Sequence, residues 1–254
     1  MMPLDDRGLL LGDGLFETML AQNGAIPMLE AHLDRMAAGC VMLGLPPLDR
    51  EAARALCLAA PPATGRAAVR LTLTAGSGGR GLDRPAEPVP RLVATAALSP
   101  LVQTPATLMI AKTRRNEGSP AARLKTLSYL DNVLARREAQ AAGADEAVML
   151  NNAGHIACAG AANVFWIAGE TLFTPSLQCG VLAGITRSRV LATARVLGVA
   201  SAEVVADRTV LETADGVFLT NSLIGLRPVS RLGERVLSPH PLTARLADGL
   251  AACR

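Results

Sequence analysis

Residues 113–122, TRRNEGSPAA, interrupt a chain in which half of the residues are hydrophobic. The stretch is polar, contains Gly118 and Pro120, and has no apolar period of either helix or strand. A segment of that kind cannot bury a face, so it is expected to link two folded parts. The expected division is a small α/β domain at 1–112, a linker at 113–122 and a larger domain at 123–254, an α+β protein overall. A length of 254 residues is enough for two modest cores.

Punctuation by Gly, Pro and Asn sets the expected elements. Residues 8–20, GLLLGDGLFETML, place apolar runs on both sides of Gly12-Asp13-Gly14 and predict strand, turn, strand. From 30 to 43, Leu33, Met36, Ala37, Cys40 and Val41 recur at helical spacing before Gly44, and 49–59 predicts a second helix. Strands are expected at 66–75, 91–98 and 106–112. Beyond the linker come a helix near 129–142, strands at 146–151, 156–159 and 163–167, and a helix over 186–197. A strand at 204–206, another at 216–220 and a helix over 240–252 complete the order.

The formal charge of +3 is small and the arginines are scattered among acids, so a nucleic-acid or membrane partner is not expected. One Trp, one Tyr and four Phe are too few for a base-stacking surface. Cys40, Cys57, Cys158, Cys179 and Cys253 are odd in number and lack CxxC spacing, so neither a disulfide framework nor a metal site is expected. The first residues, MMPLDDR, have no signal-peptide pattern. A cytoplasmic location is the expectation.

Lysine occurs only at Lys112 and Lys125; every other basic side chain is arginine. Arginine stays charged, whereas lysine can act as a nucleophilic amine or a base, so amine chemistry is confined to two positions. Farther on, Gly184-Ile185-Thr186-Arg187 opens a helical pattern, whose first-turn N–H groups suit an anion. Thr220-Asn221-Ser222, after a strand, is a second small polar cluster. Taken singly, these pieces also fit a turn and a cap.

Six pieces occur in order: Gly12-Asp13-Gly14-Leu15-Phe16-Glu17, His32-Leu33-Asp34-Arg35, Lys125, Ala161-Ala162-Asn163-Val164-Phe165, Gly184-Ile185-Thr186-Arg187 and Thr220-Asn221-Ser222. In this the chain resembles the fold type IV pyridoxal-phosphate enzymes, which include branched-chain and D-amino acid transaminases and aminodeoxychorismate lyases. The resemblance implies a two-domain fold with a barrel-like β core in the larger domain, pyridoxal 5'-phosphate as cofactor, a small-molecule amino substrate and a homodimer. It implies that Lys125 attaches the cofactor and is the catalytic base. It further implies that Arg35, Asn163, Ile185, Thr186, Asn221 and Ser222 bind the cofactor, its phosphate falling to Arg35, Ser222 and the backbone of Ile185 and Thr186.

Two positions depart from the family pattern. Cys158 stands where the family usually has a glutamate paired with the cofactor's ring nitrogen, and a thiol cannot hold a proton there by charge pairing. Packing alone, with a nearby acid in place of the glutamate, is the other reading of Cys158. Leu20 stands where several members have a basic residue, so a substrate carboxylate needs another partner. Arg114, Arg115 and Thr18 are the candidates, with solvated linker charges as the plainer reading of the two arginines. Cys158 favours a lyase that releases pyruvate from 4-amino-4-deoxychorismate; a transaminase of the same fold and a cofactor-binding protein without catalysis are the alternatives.

Overall fold

The computed structural model describes residues 3–252, so Cys253 lies outside it. The chain forms two compact units, Met1–Leu101 with Leu124–Ser128, and Val102–Arg123 with Tyr129–Arg254.

The first unit opens with α1 (Arg7–Leu11), followed by β1 (Gly14–Gln22), α2 (Leu29–Leu43), α3 (Arg50–Ala59), β2 (Arg66–Thr74) and β3 (Arg91–Leu98). The first of the two strands expected within 8–20 is therefore a short helix. Its ends explain why: the Asp6 side chain accepts from the Gly8 amide, and Gly12 closes the turn at φ 67°. Arg7 anchors the helix, donating to Asp13 at 2.9 Å and to the carbonyls of Leu82 and Asp83.

The strands form an antiparallel sheet in the order β1-β2-β3. Alternation sends Leu15, Met19 and Ala21 of β1 and Ala67, Val69, Leu71 and Leu73 of β2 to one face. There they join Leu33, Met36 and Cys40 of α2 and Ala53 and Cys57 of α3 in a single core. Phe16, Thr18 and Leu20, with Ala68, Arg70 and Thr72, are left for the opposite face.

The second unit contains β4 (Ala106–Ile110), α4 (Leu130–Ala141), β5 (Glu146–Leu150), β6 (Ile156–Ala159), β7 (Asn163–Ala168), β8 (Thr171–Pro175) and α5 (Ile185–Val196). It continues with β9 (Ser201–Val204), α6 (Thr209–Thr213), β10 (Gly216–Asn221), β11 (Gly225–Leu232), β12 (Arg235–Val236) and α7 (Pro241–Ala252). One mixed sheet runs β6-β5-β4-β11-β10-β7-β8-β9, with β12 beside β11. Residues from β4, β5, β6, β7, β10 and β11 meet in one cluster that includes Leu108, Val148, Ile156, Val164, Trp166, Leu219 and Val229. A flat sheet could not bring strands that far apart together; this one curls into a half-barrel around its apolar face. Outside the curl, α4 packs Ala135 and Ala139 on Ala147 and Met149, while α5 and α7 cover Phe165, Ile167 and Phe218.

The expected boundaries at 112 and 122 move. β4 pairs in parallel with β5 and β11, which places 106–110 in the second unit. Residues 113–122 belong to that unit too: the Arg115 amide donates to the Leu150 carbonyl at 2.9 Å, and its side chain is buried. Lys125, expected in the larger domain, groups with the first unit. The strand expected at 204–206 is β9 at 201–204, and β8, α6, β11 and β12 are additional. Among the described residues, no helix is long and apolar enough to cross a membrane.

Candidate active site

Lys125 is fixed through its backbone. The Phe16 amide donates to the Lys125 carbonyl at 2.8 Å, and the Leu127 amide donates to the Gly14 carbonyl at 3.0 Å. Thr126 forms a bridge with Leu15, so 125–127 run antiparallel beside the start of β1. The side chain is half-buried, with Nζ 4.2 Å from the centroid of the Phe16 ring. The Arg70 guanidinium carbon lies 3.8 Å from the same centroid. One aromatic ring therefore meets the lysine amine and an arginine, both drawn to its π face. Thr18, the strand partner of Arg70, is half-buried.

Behind this face, Glu17 is 1% exposed. Its carboxylate accepts from Arg35 Nε at 2.8 Å and Nη2 at 2.5 Å, and pairs with His32 Nδ1 at 2.7 Å. Burial alone would raise the Glu17 carboxyl. The hydrogen bonds from Arg35 and His32, with the Arg35 charge, leave it below the ordinary carboxylate value. His32 is itself lowered, first by burial, against the opposing bond to Glu17; the charges of Arg35 and Lys125 add to the lowering. A neutral imidazole donating from Nδ1 satisfies the carboxylate.

In the second unit, β7 and β10 pair so that Asn163 lies opposite Thr220. Asn163 Nδ2 donates to the Leu182 carbonyl at 3.0 Å. Gly184 precedes α5, and a Cβ there would stand 2.0 Å from Asn163 Oδ1, so glycine lets the Asn163 amide come this close. No side chain caps α5, and its first-turn amides at Ile185 and Thr186 carry the positive end of the helix dipole. Thr220 is fully buried and its hydroxyl has no protein partner. Asn221 shapes the adjoining turn: Nδ2 donates to the Ala161 carbonyl, and Oδ1 accepts from the Leu223 and Ile224 amides. Ser222 follows within that turn. Uncapped amides, small hydroxyls and an orphaned buried Thr220 hydroxyl fit the phosphate of the implied cofactor.

Cys158 is 7% exposed on β6, opposite Met149 and in a cluster with Ala135, Ala139, Cys179 and Val181. Burial pushes its thiol up, the Arg115 cation works against that shift, and the Glu146 carboxylate adds to it. The thiol is neutral at neutral pH. Glu146, also buried, is raised by burial in spite of Arg136 at 3.2 Å. The two candidate substrate arginines differ. Arg114 is exposed. Arg115 is buried, and its guanidinium donates to the Gly180 carbonyl, Asn132 Oδ1 and the Ala122 carbonyl. These bonds brace the 113–122 segment, which accounts for the burial of an arginine expected in a solvated linker.

Sequence reasoning missed Arg70 and gave Glu17 and His32 no role. The signal for Arg70 was a lone charge inside AAVRLTLT, an otherwise apolar and β-branched run. Thr220 carried a signal, as the first residue of the Thr220-Asn221-Ser222 cluster after a strand, but its burial did not show in the sequence.

The family model for amino-transferase class IV matches residues 14–232. The crystal structure of 4-amino-4-deoxychorismate lyase from Pseudomonas aeruginosa superposes with a TM-score of 0.90 at 36% identity, covering 99% of this chain and 95% of that one. The aminodeoxychorismate lyase of Vibrio harveyi is 29% identical over 236 residues, 90% of this chain and 86% of that protein. The branched-chain aminotransferase of Thermoproteus uzoniensis superposes with a TM-score of 0.91 at 26% identity, covering 99% and 88%.

Proposed function

We propose, from the premise that this chain belongs to the class IV aminotransferase family and so works with pyridoxal 5'-phosphate, that it is a lyase releasing pyruvate from 4-amino-4-deoxychorismate to leave 4-aminobenzoate. The observation that carries this reading is Cys158, a buried neutral thiol at the position where the family places a carboxylate. Bound pyridoxal phosphate withdraws electrons from the carbon bearing the substrate amine, most strongly when a carboxylate keeps its ring nitrogen protonated. Cys158 supplies no such charge. An elimination that creates an aromatic ring is downhill and tolerates the weaker withdrawal, whereas transamination needs the charge held longer.

Lys125 is the attachment point and the base. Its Nζ removes the proton from the amine-bearing carbon, and the bond from the neighbouring carbon to the enolpyruvyl oxygen breaks. That electron pair leaves with the enolate, which takes up a proton to become pyruvate. Phe16 gives the amine an apolar floor, and Arg70 receives a substrate carboxylate through its guanidinium fork. The family pattern assigns the phosphate to Arg35 in the first unit and, in the second, to the amides of Ile185 and Thr186 and the hydroxyl of Ser222, whose turns Asn163 and Asn221 shape. The similarity to two lyases supports this reading. The protein is further proposed to act as a homodimer in the cytoplasm.

A transaminase is the second reading, favoured by the likeness to the Thermoproteus aminotransferase and by the buried Glu146 whose charge reaches Cys158. The test supplies aminodeoxychorismate and follows 4-aminobenzoate by fluorescence and pyruvate by a coupled dehydrogenase. Equal release of both products is expected, abolished in Lys125→Ala. Branched-chain or D-amino donors are expected to leave the cofactor absorbance unchanged, and Cys158→Glu to gain conversion to the pyridoxamine form. Rapid conversion by the unmodified protein, without product from aminodeoxychorismate, would overturn the lyase reading.

A further inference from the structure

Arg35 does not stand alone on α2. Its guanidinium meets Glu17 side-on, Nε to one carboxylate oxygen at 2.8 Å and Nη2 to the other at 2.5 Å. A planar fork held at two points has its plane fixed, and its Nη1 edge is directed away from Glu17. Glu17 is in turn held by His32, one helical turn before Arg35, at 2.7 Å from Nδ1. Both Glu17 and His32 have side chains 1% exposed, against 19% for Arg35. The order runs from a sealed imidazole, through a sealed carboxylate, to a guanidinium that reaches solvent.

A carboxylate this deep is costly unless its oxygens are satisfied, and Arg35 with His32 satisfies it. The arrangement exceeds what packing β1 against α2 requires. Apolar residues at 17 and 32 would extend the surrounding core of Leu15, Met19, Leu33 and Met36 without burying charge. What the buried pair adds is orientation of a partly exposed arginine.

We infer that Glu17 and His32 are positioning residues, which preorganise Arg35 to recognise the phosphate group of the cofactor. This rests on the reading of Arg35 as a phosphate ligand. Glu17 lies too deep to touch the cofactor and acts through Arg35; His32 acts through Glu17. The chemical signature is selectivity for a phosphorylated pyridoxal over one that lacks the phosphate, since Arg35 contributes only where the phosphate is present.

The test compares binding of pyridoxal 5'-phosphate with binding of pyridoxal, by absorbance titration of the cofactor-free full chain. The unmodified protein is expected to prefer the phosphorylated form, and Arg35→Ala to lose at least tenfold of that preference. Glu17→Gln keeps the shape of the side chain but not its charge, and is expected to lose a similar factor. The double variant is expected to lose no more than Arg35→Ala alone, because the two residues act in series. His32→Asn keeps a donor near the Nδ1 position and is expected to retain the preference that His32→Leu loses. This pair decides the matter if Glu17→Gln fails to fold. Equal weakening of both ligands in Glu17→Gln, with the ratio unchanged, would show a merely structural role and overturn the inference. An unchanged ratio in Arg35→Ala would overturn the phosphate assignment of Arg35, and with it the inference, while leaving the roles of Lys125 and Cys158 to their own assay.

Discussion

At the scale of single residues, most of the chemistry sits on side chains whose neighbours restrict what they can do. The Phe16 ring meets both the lysine amine, 4.2 Å from its centroid, and the Arg70 guanidinium, 3.8 Å from it. Arg70 is exposed on β2, and its neighbours Val69 and Leu71 point into the core, so the strand itself aims it away from that core. Replacing Arg70 with alanine is expected to raise KM for a carboxylate substrate by a factor of about 10 to 150, the equivalent of about 1.5–3 kcal/mol for a lost charge-assisted hydrogen bond. The proton abstraction assigned to Lys125 should be much less affected. Steady-state kinetics checks this, and a KM unchanged within twofold would remove Arg70 from substrate binding. Arg115 makes the contrasting case. It has the same side chain but is buried, with three protein oxygens taking its donors, so its alanine variant should fail through loss of packing and buried hydrogen bonds.

At the scale of elements, β1 and α2 are joined by both apolar contacts and the Glu17 network, and the network gives this joint a pH dependence. His32 is held neutral in the fold, with its pKa below the ordinary 6.5, chiefly by burial. The unfolded chain binds a proton there more readily, so unfolding takes up a proton in the window between the folded value and 6.5. The stability due to the neutral imidazole is complete above 6.5 and declines as pH falls below it, by at most about 1.4 kcal/mol per pH unit for one proton. Glu17 is depressed as well, but its contribution is lost only below 4.5, as pH falls toward its folded value. Urea unfolding at about pH 7 and about pH 5.5 separates the two groups. His32→Asn is expected to flatten the loss seen in the unmodified protein, and parallel curves for the two would exclude His32 as its source. The same element scale shows what glycine at 184 allows. Asn163 on β7 reaches the start of α5, and a Cβ in its path would push the Asn163 amide off the Leu182 carbonyl or shift the first turn of α5.

At the scale of the whole molecule, several apolar side chains remain outside the cores of both units. Leu9 and Leu10 of α1 are 59% and 63% exposed, and Leu130 and Val133 of α4 are 68% and 51% exposed. The homodimer proposed above would cover side chains of this kind. Light scattering is expected to give a mass twice that of one 26.3 kDa chain, and a single-chain mass at all concentrations would sink the dimer. The sequence by itself determined the succession of most elements, because helix and strand periods and glycine stops are local properties. It also determined the cofactor family, because residues spread over nearly the whole chain keep their order and identity. It did not determine α1, whose apolar residues fit a strand until the Asp6 cap and the Gly12 turn are seen together. Nor did it reveal β11, whose GLRPVSRL becomes a strand by pairing with β4 and β10. Tertiary structure alone decided that Arg115 is a brace, that Lys125 runs beside β1, and that Glu17 and His32 stand behind Arg35. Each of these depends on partners tens of residues away or on burial, and burial is what raises the Cys158 thiol and lowers His32. A residue's type is written in the chain, but its charge, its reach and its partner are set by what the fold packs around it.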